Sequence, residues 1–268
     1  MIHRLVLAAA LLLGVAGSAR ADDAADLRAA NEAFIAGDNV KALALIKPLA
    51  EKGNAEAQRN LGVMYLGGRG VNRDSAVAAE WFRKSADQGF ASAAYQLGLL
   101  HYNGEGIAKD AVAAGVLFEK AAIGGVIEAR HAVGRLAKER GDIAMAMASY
   151  EEAAVKGYMP AILDLAQMLE ERGTATADKA AALADMTKAY VWVQVALAGV
   201  ESGPARDEIH RFRTKLEQGL AARQPPAGER AMADAKSESE KLIAQIKAAV
   251  AERSRAVAPP PAAQTKPR

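Results

Sequence analysis

The chain has 268 residues, no cysteine and a formal net charge of +2. Without residues 1–21 the charge falls to zero, because Arg4 and Arg20 are lost and 32 basic residues face 32 acidic ones. The lack of cysteine excludes disulfides and thiolate metal ligands, and the balanced charge gives no basis for binding nucleic acid or an anionic membrane. Hydrophobic residues make up 51% of the chain and aromatic residues only 5%. Alanine supplies much of the hydrophobic fraction, which favours closely packed helices over sheet.

Residues 1–21 have the pattern of a cleavable secretory signal peptide. His3 and Arg4 form a basic start, and the apolar run at 5–15 is too short to span a bilayer comfortably. Ala19-Arg20-Ala21 is a small-x-small cleavage site. We expect export to the periplasm with no integral membrane segment after cleavage; the alternative is an uncleaved anchor.

The next segment predicts a first, divergent helical pair. Residues 22–36 place Leu27, Ala30 and Phe34 on one helical stripe. Gly37 ends this helix, and Asp38 is a suitable N-cap for a second helix, which contains Pro48 and therefore bends.

An internal repeat occupies residues 53–157. Leu61, Leu97 and Val133 occur at intervals of 36 residues, and Leu165 follows 32 residues later. A period of this length predicts a solenoid, in which each helical hairpin buries its apolar face against its neighbours. Gly62, directly after the first leucine, is expected to let a neighbouring backbone come close.

Glycine-rich turns join the two helices of the second and third repeats. Gly68 and Gly70 are followed by Asp74, and Gly104 and Gly106 by Asp110. Each aspartate stands where the N-cap of the second helix belongs. Residues 141–142 replace this turn with Gly-Asp alone, which accounts for the shorter fourth repeat.

Three motifs resemble the Sel-one-like repeat family, a relative of the tetratricopeptide repeats. They are Leu-Gly-x-x-Tyr from Leu61, Gly-x-Gly-Val-x-x-Asp from Gly68 and Ala-x-x-Trp-Phe-x-Lys from Ala78. The match is strong over 42–125 and weaker over 154–199. The resemblance implies an all-α fold, a right-handed α/α superhelical solenoid that acts as an adaptor for other proteins.

Three helices are expected beyond the repeats. An amphipathic helix is predicted at 178–199, and Ser202-Gly203-Pro204 breaks the chain before a helix whose buried face carries Ile209, Phe212, Leu216 and Leu220. A last helix at about 228–250 follows Pro225-Pro226, with Leu242, Ile243, Ile246 and Val250 on a stripe. Such terminal helices usually cap a solenoid; docking of a partner helix on the stripe is the alternative.

These predictions divide the chain into four parts. Residues 1–21 are the signal peptide, 22–200 the repeat solenoid, 201–250 the C-terminal helical cap and 251–268, rich in proline and alanine, a disordered tail.

No motif supports an enzyme, a metal site or a cofactor. The glycine turns lack the Gly-Lys-Ser/Thr of phosphate loops, and His101, His131 and His210 are not at ligand spacing. The pairs Glu151-Glu152 and Glu170-Glu171 are expected to be solvated helix surface. Some cysteine-rich exported relatives of the family are associated with penicillin binding and β-lactamase activity, but Ser-x-x-Lys, Lys-Thr-Gly and Gly-x-Ser-x-Gly are all absent.

The resemblance also implies a binding surface, because the first helix of each tetratricopeptide-like unit lines the concave face. The positions two before and two after the leucine of the Leu-Gly motif, or its equivalent in each repeat, are expected to be exposed there: Arg59, Val63, Tyr95, Leu99, His131, Arg135, Leu163 and Gln167. Aromatic and arginine side chains are typical of interface cores; ordinary exposed helix residues are the alternative. We therefore expect a periplasmic, non-enzymatic adaptor for another protein, such as a modulator of a membrane sensor kinase. The rival is a cell-wall-linked enzyme or a peptidoglycan-binding module.

Overall fold

The computed structural model describes residues 23–223 and 225–257, and this part of the chain is all α-helix and turn. The predicted signal peptide, 1–21, lies outside the described residues. The chain divides into two compact units, Met1–Ala129 and Arg130–Arg268. The all-α fold class predicted from the repeat is confirmed.

The first unit consists of consecutive antiparallel helices. Its helices are α1 (23–35), α2 (Asn39–Glu51), α3 (Ala55–Gly67), α4 (Ser75–Asp87), α5 (Ala91–Asn103) and α6 (Ala111–Ile123), followed by the start of α7 (Ile127–Glu139). Each of α3 to α6 packs on the helix before it. Pro48 lies inside α2, as expected.

Aspartate caps and glycine turns set the hairpins of the first unit. The Asp74 carboxylate accepts hydrogen bonds of 3.0 Å from the amides of Ala76 and Val77. Asp110 makes the equivalent pair at the start of α6. Gly68 and Gly104 end α3 and α5 with φ of +65° and +71°, a region that glycine enters without a Cβ penalty. The predicted caps and turns are confirmed.

The small residue after the repeat leucine accommodates an aromatic ring. A Cβ at Gly62 would lie 2.7 Å from the Phe82 ring, and one at Gly98 would lie 2.7 Å from the Phe118 ring. Both phenylalanines are fully buried. The atoms nearest to each glycine therefore belong to a phenylalanine ring of the second helix of its hairpin.

The second unit continues from α7 with α8 (Ile143–Ala154), α9 (Met159–Ala175), α10 (Lys179–Gly199), α11 (Pro204–Arg223) and α12 (Pro225–Val257). The short Gly141-Asp142 turn joins α7 to α8, and Asp142 caps α8 by accepting from the Met145 amide at 3.0 Å. The helix α10 is central, because α9, α11 and α12 all pack on it.

The environment of α10 differs from the prediction. Tyr190, Val191, Trp192 and Val193 are consecutive and all buried, so this part of the helix has no solvent face. The expectation of an amphipathic helix is wrong for this part, because three helices pack on α10. In the first half of α10 an exposed face remains at Ala181, Ala184 and Lys188.

The last helix is longer than predicted and contacts the turn between α8 and α9. It continues to Val257, seven residues into the segment predicted as a disordered tail, and residues 258–268 lie outside the described residues. Ile246 and Val250 lie beside Gly157, where a Cβ would come within 3.1 and 3.0 Å of them. These two residues of the predicted stripe are therefore in contact with their own unit.

Two ion pairs are partly buried in the second unit. The Arg172 guanidinium donates to both Asp185 oxygens, at 2.7 and 2.5 Å, and Lys215 Nζ lies 3.0 Å from Glu170. Only 8% of Glu170 is exposed. The expectation that Glu170 is solvated surface is wrong, because α11 brings Lys215 over it.

Candidate functional site

In the first unit, two predicted binding residues line one pocket. Arg59 and Val63 lie one turn apart on α3 and border a cavity of about 280 Å³. Both are half-buried. The remaining lining residues come from α1, α2 and α3: Asn31, Phe34, Ile35, Ile46, Glu56 and Asn60.

A row of amide and charged groups fixes one wall of this pocket. Arg59 Nη1 donates to Asn60 Oδ1 at 2.9 Å, and Asn60 Nδ2 donates to Asn31 Oδ1 at 3.0 Å. Asn31 Nδ2 donates in turn to Glu56 Oε1 at 3.4 Å. Burial lowers the pKa of Arg59, while nearby Glu56 acts in the opposite direction; the guanidinium stays charged. The pocket therefore combines a fixed cation with the apolar side chains of Phe34 and Ile35.

Tyr95 and Leu99 occupy the equivalent positions of α5 and are half-buried. The Tyr95 ring packs against the Phe118 ring with centroids 5.8 Å apart. Neither residue lines the pocket that Arg59 and Val63 share. In the first unit the structure thus brings together two of the four predicted residues, and Tyr95 also serves the hairpin core.

His131 on α7 is held by its neighbours in the second unit. Its Nε2 lies 2.7 Å from Asp164 Oδ2, and its ring centroid is 5.2 Å from that of Tyr150 and 5.3 Å from that of Tyr158. Only 12% of the side chain is exposed. The expectation of an exposed His131 is therefore wrong, because two tyrosines and a carboxylate enclose it. Arg135, one turn later, is half-buried.

A larger pocket of about 560 Å³ lies between α9 and α11. Gln167 is exposed at its edge and donates to Glu171 Oε1 at 2.8 Å; Leu163, one turn before, is half-buried. The other lining residues are Met159, Glu170, Glu171, Val200, Ala205, Glu208, Ile209, Phe212 and Lys215. His131 and Arg135 are not among them.

The α11 wall of this pocket was not predicted as part of a site. The spacing of Ile209 and Phe212 indicates a buried face, and Ile209 is buried while Phe212 is half-buried at the pocket. The apolar stripe could have identified α11 as a wall, but nothing in the sequence places it opposite α9.

Both pockets combine apolar walls with a few charged side chains. Within 23–223 and 225–257, no three His, Asp or Glu side chains come together as metal ligands. Over the same residues, no helix is both long enough and apolar enough to cross a membrane.

Comparison with known proteins places this chain within a class of helical repeat proteins. The family model for the Sel1 repeat matches residues 55–90 and 91–126, which are the hairpins α3–α4 and α5–α6. A search of curated protein sequences finds no match.

Several solved structures are similar to this chain, among them two proteins with this repeat or fold. A Sel1 repeat protein from Oxalobacter formigenes is 25% identical, with a TM-score of 0.55 over 74% of this chain and 88% of that one. A protective antigen of uropathogenic Escherichia coli with an SLR fold is 22% identical, with a TM-score of 0.56 over 94% of this chain. The present chain spans 59% of that antigen.

The fold is thus that of an α-helical repeat protein with consecutive helical hairpins. The chain contains two Sel1 repeats, at residues 55–90 and 91–126. Sel1 repeats generally mediate protein–protein interactions and are typically non-enzymatic scaffolds.

Proposed function

We propose that this protein is a periplasmic, non-enzymatic adaptor that binds a segment of another protein on the first helices of its repeats. The observation that carries the proposal is the position of the pockets. Arg59 and Val63 line one pocket, and Leu163 and Gln167 line the other. These are residues that the family resemblance alone assigned to a binding face.

The chemistry of both pockets suits a peptide segment. Each combines apolar walls with a few fixed polar groups, the combination that gives recognition sites both affinity and orientation. Tyr95 and Arg135 extend the predicted face, and arginine and tyrosine are enriched among residues that dominate binding energy. A modulator of a membrane sensor kinase is one concrete form of such an adaptor.

Export is part of the proposal and has its own measurement. It is supported by the basic start, apolar run and cleavage site within residues 1–21. Fractionation of the native host should recover a chain that begins at Asp22 in the periplasm. A full-length chain retained in the cytoplasm contradicts this location and leaves the binding surface to be tested separately.

Site-specific photo-crosslinking in cells tests the binding face. A photoreactive residue at Val63 or Gln167 should capture a partner at least about five times more often than one at Glu80 or Glu151, which are exposed on the second helices. Equal capture at all four positions would exclude a special role for the first helices.

The rival function requires a different assay. Mature protein incubated with muropeptides and a chromogenic β-lactam should neither bind nor turn them over. Turnover or tight glycan binding would establish the cell-wall-linked enzyme or peptidoglycan-binding module instead.

A further inference from the structure

The pocket between α9 and α11 is an apolar groove with an acidic edge. Met159, Leu163, Val200, Ile209 and Phe212 supply its apolar lining. Three carboxylates also line it, against a single lysine. A segment that binds in this groove should carry small apolar side chains along its length and a positive charge where it meets the acidic edge.

Two of the three carboxylates have no neutralising partner within the lining. Lys215 lies 3.0 Å from Glu170, so these two charges offset each other. The Glu171 carboxylate accepts an uncharged amide hydrogen bond from Gln167, and Glu208 is exposed. The edge of the groove therefore carries a net negative charge from Glu171 and Glu208.

The last residues of this chain have the complementary composition. Residues 258–268 contain four prolines and three alanines, and their only charged side chains are Lys266 and Arg268. Proline-rich segments lose little conformational freedom on binding in an extended form. Two positive charges thus follow a run of small apolar groups.

The chain leaves α12 near one end of the groove. Arg253 Nη2 donates to the Lys156 carbonyl at 2.9 Å, three residues before Met159, which lines the groove. From Val257 to Lys266 an extended chain spans up to about 30 Å. The α9 wall from Met159 to Glu171 is about 18 Å long. Lys266 can therefore reach the acidic edge.

We propose that residues 258–268 bind in the α9–α11 groove of their own chain, with Lys266 at Glu171 and Glu208. Because the segment is tethered, its effective concentration is on the order of millimolar, so even a weak site fills. This contact lies within one chain and requires no partner protein, and it does not rest on the proposed function. If both hold, a partner that uses this groove displaces the segment.

Cysteine pairing in the full chain tests this contact, because the natural chain has no cysteine. The test variant is Gln167→Cys with Thr265→Cys. The matched control is Glu151→Cys with Thr265→Cys, since Glu151 is exposed on α8, only five residues before Lys156. Under mild oxidation, the test variant should form its single-chain disulfide at least about ten times faster than the control.

Two outcomes of this experiment overturn the proposal. Equal rates in the two variants would mean that the segment samples its surroundings without binding the groove. A disulfide between two chains, detected by the mass of a dimer, would assign the groove to a second copy.

Charge variants in the same background test the acidic edge. Lys266→Glu with Arg268→Glu should slow the Gln167–Thr265 pairing to the control rate, and so should Glu171→Lys with Glu208→Lys. Combining the four changes should restore fast pairing, because the charges are exchanged. Pairing that ignores these changes would also overturn the proposal. Circular dichroism melting of each variant verifies that the fold is retained.

Discussion

The hairpins α3–α4 and α5–α6 of the first unit and the helices α9 to α12 of the second are stabilised in different ways. In the first unit, equivalent residues make equivalent contacts: Gly62 faces Phe82 as Gly98 faces Phe118. In the second, a central helix is surrounded by three others, and charged side chains enter partly buried positions as ion pairs.

This difference shows where a repeat sequence is informative. A repeated hairpin depends on contacts whose sequence separation recurs, so its period reveals them. The helices after the last repeat contact one another in a way that no period encodes. Substitutions in the two regions should therefore lower the stability of the fold for different reasons. In the first region the cause is crowding against the backbone, and in the second it is a charge left without its partner.

The largest effect is expected from Gly106→Ala in the first unit. Gly106 has φ of +71°, and a Cβ there would overlap the backbone of Ser75 and Ala76. Left-handed strain of about 1–2 kcal/mol and overpacking of about 1–3 kcal/mol should together destabilise the protein by about 3 kcal/mol. Urea unfolding followed by circular dichroism measures this loss.

Gly89→Ala is the matched control for that substitution. Gly89 has φ of +87°, but a Cβ there would meet nothing within 4 Å. Only the strain of about 1–2 kcal/mol should remain. Equal losses in the two variants would show that contact between the turn and the preceding hairpin contributes nothing.

A smaller effect, about 2 kcal/mol, is expected from Arg172→Ala in the second unit. The substitution leaves the Asp185 carboxylate, whose side chain is 11% exposed, without its guanidinium partner. Breaking a buried pair costs about 3–5 kcal/mol, and we expect less because Arg172 itself is 49% exposed. Thermal and urea melts of both proteins give the difference.

Lys52→Ala provides the comparison from the first unit. Lys52 pairs with Asp23 at 3.2 Å, but its side chain is 65% exposed. Exposed pairs contribute about 0–1 kcal/mol. A loss as large as that of Arg172→Ala would contradict the distinction between the two units.

The smallest effect concerns Glu105, which links the turn after α5 to the start of α4. Hydrogen bonds from Ser75 and then from Arg73 hold the pKa of Glu105 below its ordinary value. Ser75→Ala should therefore raise this pKa toward its ordinary value, as measured by NMR titration of the carboxyl carbon. An unchanged pKa would mean that the Ser75 hydroxyl does not bind Glu105 in solution.

The depressed pKa of Glu105 also gives a direction for the pH dependence. A carboxyl with a lowered folded-state pKa contributes stability above its unfolded pKa, and that contribution is lost as the pH falls through the folded value. Denaturation midpoints below about pH 4 should therefore differ less between Ser75→Ala and the natural protein than those at pH 7.

Most of the first unit could be predicted, and much less of the candidate site. The caps Asp74 and Asp110 and the turn glycines follow from local hydrogen bonding and φ, which neighbouring residues specify. Exposure of the binding residues does not: Gln167 is exposed as expected, whereas His131 is enclosed by Tyr150, Tyr158 and Asp164. The enclosing residues come from other helices, and their positions depend on packing.

The amino-acid sequence by itself determined the helical hairpins, their period and the residues that begin and end most helices, because these depend on hydrogen bonds and backbone angles within a few residues. Only the tertiary structure decided that Phe82 covers Gly62, that residues 190–193 of α10 are all buried and that α11 forms the second wall of a pocket with α9. These features join residues far apart in the chain, and burial is a property of the packed helices together.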